Sequence, residues 1–237
     1  MNDSLRAGLD SLAHQVAESM AKPRLRGWLH VGAVPVTLIA GVVLIALSPT
    51  ASTRLGSVVY VASSVLLFGV SAVYHRGRWS PRVTRVLRRL DHANIFVLIA
   101  GTYTPFTILL LRGTDRVVML AAVWVGALLG VGFRVFWLDA PRRLCVPIYI
   151  GLGCAALFAL PQFAAGCHRL GVGLGTAVLV LIVVGGVLYI AGGAVYGLRH
   201  PDPWPRYFGF HEVFHSLTVL AFLSHFVGVS LATYSLR

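Results

Sequence analysis

Seven apolar runs, each about twenty residues long, divide the chain into alternating greasy and polar stretches. They fall at about 28–47, 55–75, 91–111, 117–137, 144–163, 172–196 and 210–231. A helix of roughly twenty apolar residues crosses the ~30 Å hydrocarbon layer of a bilayer. The pattern therefore predicts an all-α, polytopic membrane protein built as a seven-transmembrane-helix bundle. Ser48-Pro49 ends the first run, and a proline-rich linker, Pro201 to Arg206, precedes the last. The first run exceeds the 7–15 residues of a signal-peptide core and reads as a retained span. Two units follow: residues 1–27, a cytosolic tail, and residues 28–237, the membrane domain. In the tail, Leu5, Leu9, Leu12, Val16 and Met20 recur at helical spacing, which predicts a short amphipathic helix.

Charge fixes an orientation. The polar stretches carry the basic residues, of which Lys22 is the only lysine. With the N-terminus inside, fifteen basic residues flank the cytosolic ends of the spans and five the outer ends: Arg54, Arg112, Arg116, Arg169 and Arg237. The positive-inside rule then predicts a cytosolic N-terminus and an outer C-terminus in the plasma membrane. Topology thus accounts for the net charge of +12, and a nucleic-acid partner is not inferred. Between Arg76 and Arg89, Val83, Val86, Leu87 and Leu90 sit at helical spacing among six arginines. That segment is expected to lie on anionic inner-leaflet lipids. The cysteines, Cys145, Cys154 and Cys167, have no CxxC spacing and read as small apolar residues. Gly126-xxx-Gly130 and Gly193-xxx-Gly197 are spaced for close helix packing.

Candidate chemistry begins at His211-Glu212-Val213-Phe214-His215, at the head of the seventh run. Histidines at i and i+4 share one helix face and can hold one metal ion. The predicted topology brings His75, ending span 2, and Asp91, opening span 3, to the same inner level. Ionisable groups at membrane depth are costly unless they pair or ligate. Ser71, one turn before His75, shares its face; against this stands the habit of membrane serines of bonding their own i−4 carbonyl. Three imidazoles and one open position form a catalytic zinc arrangement, in which a water of pKa ~7 completes the shell. Asp91 would take that water's proton, and Ser71 would steady an oxyanion.

HEVFH also spells the zinc-protease motif with Glu212 as base. No acidic residue follows Glu212 to serve as the usual third ligand, and Glu212 lies ~100° around the helix from His211. Pairing with an inner arginine is the alternative for Glu212. His30, His92 and His225 are expected to hydrogen-bond a neighbouring helix rather than ligate.

Four stretches together resemble the hemolysin III-related proteins, the bacterial branch of the progestin and adipoQ receptor (PAQR) superfamily. They are Ser71-Ala72-Val73-Tyr74-His75, Leu90 to Phe96, Gly101-Thr102-Tyr103-Thr104-Pro105 and Phe208 to His215. The resemblance covers the chain from span 1 onward. It implies seven helices with a cytosolic N-terminus, Zn2+ on His75, His211 and His215, and family roles for Ser71 and Asp91. It further implies kinship with membrane metal-dependent hydrolases such as alkaline ceramidases, hence hydrolysis of a lipid amide or ester with a membrane lipid as substrate. Two other functions are carried forward: a receptor-like sensor of membrane state with structural zinc, and a pore-forming haemolysin, which predicts a polar stripe through the bundle.

Overall fold

The computed structural model describes residues 23–237. The predicted tail helix lies outside the described residues. Seven helical segments are long and apolar enough to cross a membrane. They are α1 (Trp28–Leu47), α2 (Ala51–Arg76), α3 (Pro81–Leu110), α4 (Gly113–Phe136), a broken fifth span, α7 (Val172–Leu198) and α8 (Phe210–Tyr234). The fifth span consists of α5 (Arg142–Gly153), a 3₁₀ stretch (Cys154–Ala159) and α6 (Leu160–His168).

The chain is all-α, and each of α1 to α4 packs on the next. The last helix, α8, packs chiefly on α7 and also touches α1 and α3, which closes the ring. Of the seven, α3, α2 and α8 are the most buried, in that order. The core is aromatic at its centre: Tyr60, Phe68 and Phe96 are fully buried. Tyr60 and Phe68 both contact the Phe222 ring, and Tyr60 donates to the Phe222 carbonyl at 3.1 Å. The inner helices are thus those that carry the candidate site.

Two elements depart from the predicted boundaries. The arginine-rich segment is helical as expected, but it is the first ten residues of α3 rather than a separate helix. The Ser80 hydroxyl accepts from the Val83 N–H and Pro81 occupies the first turn, so the helix starts there. Val83, Val86 and Leu90 remain exposed along this extension. The fifth run, expected as one helix, breaks. Pro161 lacks the N–H that would bond Leu157, and Gly151 and Gly153 weaken the helix before it. Tyr103 of α3 meets the freed backbone: its hydroxyl donates to the Gly153 carbonyl at 2.6 Å and accepts from the Ala156 N–H at 2.8 Å.

The two glycine pairs behave differently. A Cβ on Gly126 or Gly130 would lie 2.7 Å from Leu152 or 2.4 Å from the Phe96 ring, so α4 needs the small residues. Beside Gly193 and Gly197 the nearest atoms stand at 3.4 and 3.6 Å, ordinary contact distances.

Candidate metal centre

The seventh run becomes a helix through caps supplied by its own linker. Asp202 Oδ1 accepts from the Phe210 N–H at 2.7 Å, and Glu212 Oε2 accepts from the Gly209 N–H at 2.9 Å. Carboxylates at a helix N-terminus also suit its dipole. Its start is therefore fixed from two sides, and His211 and His215 project one turn apart. On α2, His75 lies in the last turn, and on α3, Asp91 lies ten residues from the start.

The structure brings His75, His211 and His215 together. One ligand atom from each lies within 4.8 Å of the others. Ring centroids are 4.8 Å apart for His75 and His211, 5.3 Å for His75 and His215, and 4.5 Å for His211 and His215. The Nε2 atoms of His75 and His211 stand 3.3 Å apart. Two nitrogens at ~2.05 Å from a tetrahedral ion would be separated by about 3.3 Å, so this pair fits a zinc-sized ion without rearrangement. Among the described residues no other group of three or more His, Cys, Asp or Glu side chains is gathered for a metal.

Asp91 Oδ2 approaches His75 Nε2 at 3.9 Å and His92 Nδ1 at 4.0 Å. Ser71 is buried beside Asp91, yet its hydroxyl makes no hydrogen bond of ordinary geometry. In particular, it does not bond its i−4 carbonyl, whereas Ser64 donates to Tyr60, Thr104 to Ala100 and Thr218 to Phe214. The Ser71 hydroxyl is thus left available on a cavity wall.

Glu212 is fully buried and unavailable. Its second oxygen takes a short charge-assisted hydrogen bond from Arg26 Nε. It lines neither of the cavities that meet the histidines. The protease reading loses its base, and Glu212 pairs with an arginine, though with Arg26 of the segment before α1 rather than one of an inner loop.

His92 and His225 make the interhelical hydrogen bonds expected of them. His92 Nε2 meets the Tyr196 hydroxyl at 3.2 Å, and His225 Nε2 meets the Ile182 carbonyl at 3.1 Å. His30 does not. Its ring stacks on His215 with centroids 3.9 Å apart and planes 12° apart, and neither ring nitrogen has a hydrogen-bond partner. The start of α1 thus approaches the cluster, and His30 meets it by stacking rather than by a hydrogen bond. Gly27 makes that approach possible: at φ +81° it adopts a left-handed conformation, and a Cβ there would stand 2.8 Å from His75 Cβ. Residues 24 and 25 are tied by backbone N–H bonds to the Arg206 and Tyr207 carbonyls, both 3.1 Å.

Two cavities meet at the cluster. One, of about 420 Å³, is the more polar of the two and is lined by His75 together with Arg26, Arg88, Arg134 and Arg142. The other, of about 340 Å³, is mostly apolar and is lined by His215 and Ser71 with Leu67, Ile95, Ile99 and Phe106. Asp91, His92, Tyr196 and His211 line both. Volumes of this size are those of small-molecule sites.

Seven spans and a histidine triad competent for a metal at one end of the bundle define a class of multi-pass membrane protein with a buried candidate metal centre. The sequence comparisons give that class a family. The Haemolysin-III related profile matches residues 18–226, and the chain belongs to that family. It is 31% identical over 166 residues to Hemolysin-3 of Bacillus cereus, covering 70% of this chain and 69% of that protein. It is 30% identical over 156 residues to the Hemolysin-3 homolog of Bacillus subtilis (strain 168), covering 66% and 67%. Similarity extends to Progestin and adipoQ receptor-like protein 1 of Caenorhabditis elegans, 26% identical over 187 residues, where it spans 72% of this chain and 42% of the relative.

Proposed function

We propose that this protein is a zinc-dependent hydrolase of a lipid amide or ester, acting in the cytosolic half of the plasma membrane. One observation carries the reading: the three-histidine cluster stands where a polar cavity meets an apolar one, with His75 on the first, His215 on the second and His211 on both. An amphiphile seated there has its chain among Leu67, Ile95 and Phe106 and its polar end among the arginines. The bond that joins them then falls at the histidines.

His75, His211 and His215 would hold the ion, which supplies a Lewis acid for the carbonyl and a water acidified to a pKa of ~7. The ligand set fits zinc by its nitrogen donors, by its spacing and by having three members, as open catalytic sites do. Asp91, on both cavities and 3.9 Å from His75, would accept a proton from the attacking water and return it to the leaving group. Ser71, buried beside Asp91 without a hydrogen bond of ordinary geometry, would donate to the carbonyl oxygen as negative charge grows. The distribution of arginines supports a cytosolic N-terminus and an outer C-terminus.

The test is metal content followed by lipid analysis. Purified protein should carry about one zinc per chain, and His75→Ala, His211→Ala and His215→Ala should each lose it. Full retention in all three would sink the ligand assignment. Membranes from cells with the intact protein should be depleted of one amide or ester lipid relative to cells with Asp91→Asn. Indistinguishable lipid profiles would sink the hydrolase.

A further inference from the structure

The polar cavity is lined by four arginines, and two of them have no carboxylate partner. Four elements contribute a guanidinium: Arg26 from the segment before α1, Arg88 from α3, Arg134 from α4 and Arg142 from α5. Two of them are neutralised, Arg26 by Glu212 and Arg88 by Asp139. Asp91, the remaining carboxylate on the wall, pairs only with His75 and His92. Arg134 and Arg142 appear in no ion pair among the described residues.

Arg134 is buried and Arg142 half-buried, which makes their lack of a carboxylate informative. Arg134 is only 3% exposed, its Nη1 contacts Cys145 Sγ at 3.1 Å and its Nε has no hydrogen-bond partner. Arg142 packs its guanidinium over the Tyr196 ring at 4.6 Å and the Phe210 ring at 5.5 Å, and its buried Nη1 also lacks a partner. Stacking fixes the plane of the fork without satisfying its N–H groups. The positive-inside rule asks for charge near the membrane surface and does not ask for its burial. A buried, unpaired cation is costly unless something anionic completes it. Arg142 also opens α5, whose first turn has no capping side chain, so the helix dipole adds positive potential at the same wall.

We infer that this cavity is a headgroup site for a phosphate-bearing lipid, held by Arg134 and Arg142 while its chain occupies the apolar cavity. The ligand combines an oxyanion, which takes the unpartnered N–H groups of Arg134 and Arg142, with a hydrocarbon chain, which neither arginine can hold. The inference rests on the lipid reading of the metal centre and adds the charge of the substrate. It also separates this protein's substrate from neutral amides, which leave both forks unpaired.

Binding can be measured without turnover. The probe is hexadecyl phosphate, which has no amide or carboxylic ester, titrated into the full chain in neutral detergent. Chain-matched monopalmitoylglycerol and inorganic phosphate serve as controls. Hexadecyl phosphate should bind at least ten-fold more tightly than the neutral lipid. Arg134→Gln and Arg142→Gln should each weaken it by about ten-fold or more, the worth of a charge-assisted hydrogen bond, while keeping zinc. Arg134→Lys should recover part of the loss, and if Arg134→Gln does not fold, Arg142→Gln decides alone. Equal binding of neutral and phosphorylated probes, or full binding by the folded Gln variants, overturns the headgroup site. Inorganic phosphate binding as tightly as hexadecyl phosphate overturns the lipid and assigns the site to a soluble anion. Phosphate-selective binding that survives metal removal upholds the site even where the lipid profiles refute hydrolysis, so the two proposals fail separately.

Discussion

Glu212 offers the sharpest division between a structural and a chemical role. Its carboxylate is fully buried and has both oxygens engaged, one by Arg26 Nε and one by the Gly209 N–H. Arg26→Ala leaves a buried carboxylate with a single neutral donor. Removing one partner of a buried ion pair costs about 3–5 kcal/mol. At roughly 2–4 °C per kcal/mol for a chain of this size, the unfolding midpoint should fall by about 6–20 °C. Glu212→Gln is milder. Its one amide oxygen can serve only one of the two donors, so one hydrogen bond is lost, and Arg26, with 17% of its side chain exposed, regains some water. About 1–2 kcal/mol is expected. The double variant should cost less than the sum of the singles, because the second substitution removes a charge the first has already stranded. Thermal unfolding in detergent, with zinc content measured on the same samples, reads both effects. The Arg26→Ala protein should also hold zinc more weakly, since the ion pair fixes the turn that carries His211. A Glu212→Gln protein with unchanged midpoint and zinc but abolished hydrolysis would make Glu212 the catalytic base and overturn its structural role.

Other consequences follow from single contacts. His30→Phe keeps the stack on His215 and should retain zinc, whereas His30→Ala, which opens a gap beside that ligand, should weaken zinc by about ten-fold; zinc loss in His30→Phe as complete as in His215→Ala would make His30 a ligand. Ser71→Ala removes a hydroxyl that lies beside Asp91 without a hydrogen bond of ordinary geometry, so stability should change by less than ~0.5 kcal/mol. Turnover should nevertheless fall, by up to the ~100-fold of a lost oxyanion donor, and unchanged turnover would remove Ser71 from the site. Tyr103→Phe leaves the Gly153 carbonyl and Ala156 N–H without their partner and should cost about 2–3 kcal/mol in thermal unfolding; a neutral result would mean the broken fifth span satisfies itself.

Long apolar runs made the seven spans legible, because hydropathy alone decides membrane crossing. The same criterion misplaced the start of α3 by ten residues. Arg82, Arg85, Arg88 and Arg89 ended the apolar run, although arginine is a good helix former and Ser80-Pro81 is a helix-start signal. The break in span 5 was less accessible. Pro161 marks a weak point, but the stability of the broken form depends on Tyr103, fifty residues earlier and on another helix. His75, His211 and His215 could be found because ligand spacing and topology both leave traces in a sequence. Ring stacking leaves none, so the sequence predicts a hydrogen bond for His30 where the structure has a stack on His215. Arg134 and Arg142 were counted only as topology charges, since nothing in a loop-flanking arginine distinguishes one that reaches water from one folded back into a cavity.

Whether such a centre does chemistry or merely ties helices together turns on what surrounds its ligands. A purely structural zinc is closed by four protein ligands. Here the cluster has three, and the short segment from Arg26 to His30 backs it with three separate contacts: the ion pair to Glu212, Gly27 against His75, and His30 on the face of His215. These contacts already fasten α1 and α8 without a metal, and α2 and α3 are joined by their own packing. A clamp at this position would therefore duplicate what the side chains achieve. A catalytic ion needs what they provide, namely ligands held rigidly from behind and cavities adjoining the same imidazoles. The junction of the two cavities at His211 and Asp91 adds nothing to a helix clamp, and the proposed lipid hydrolase would use it.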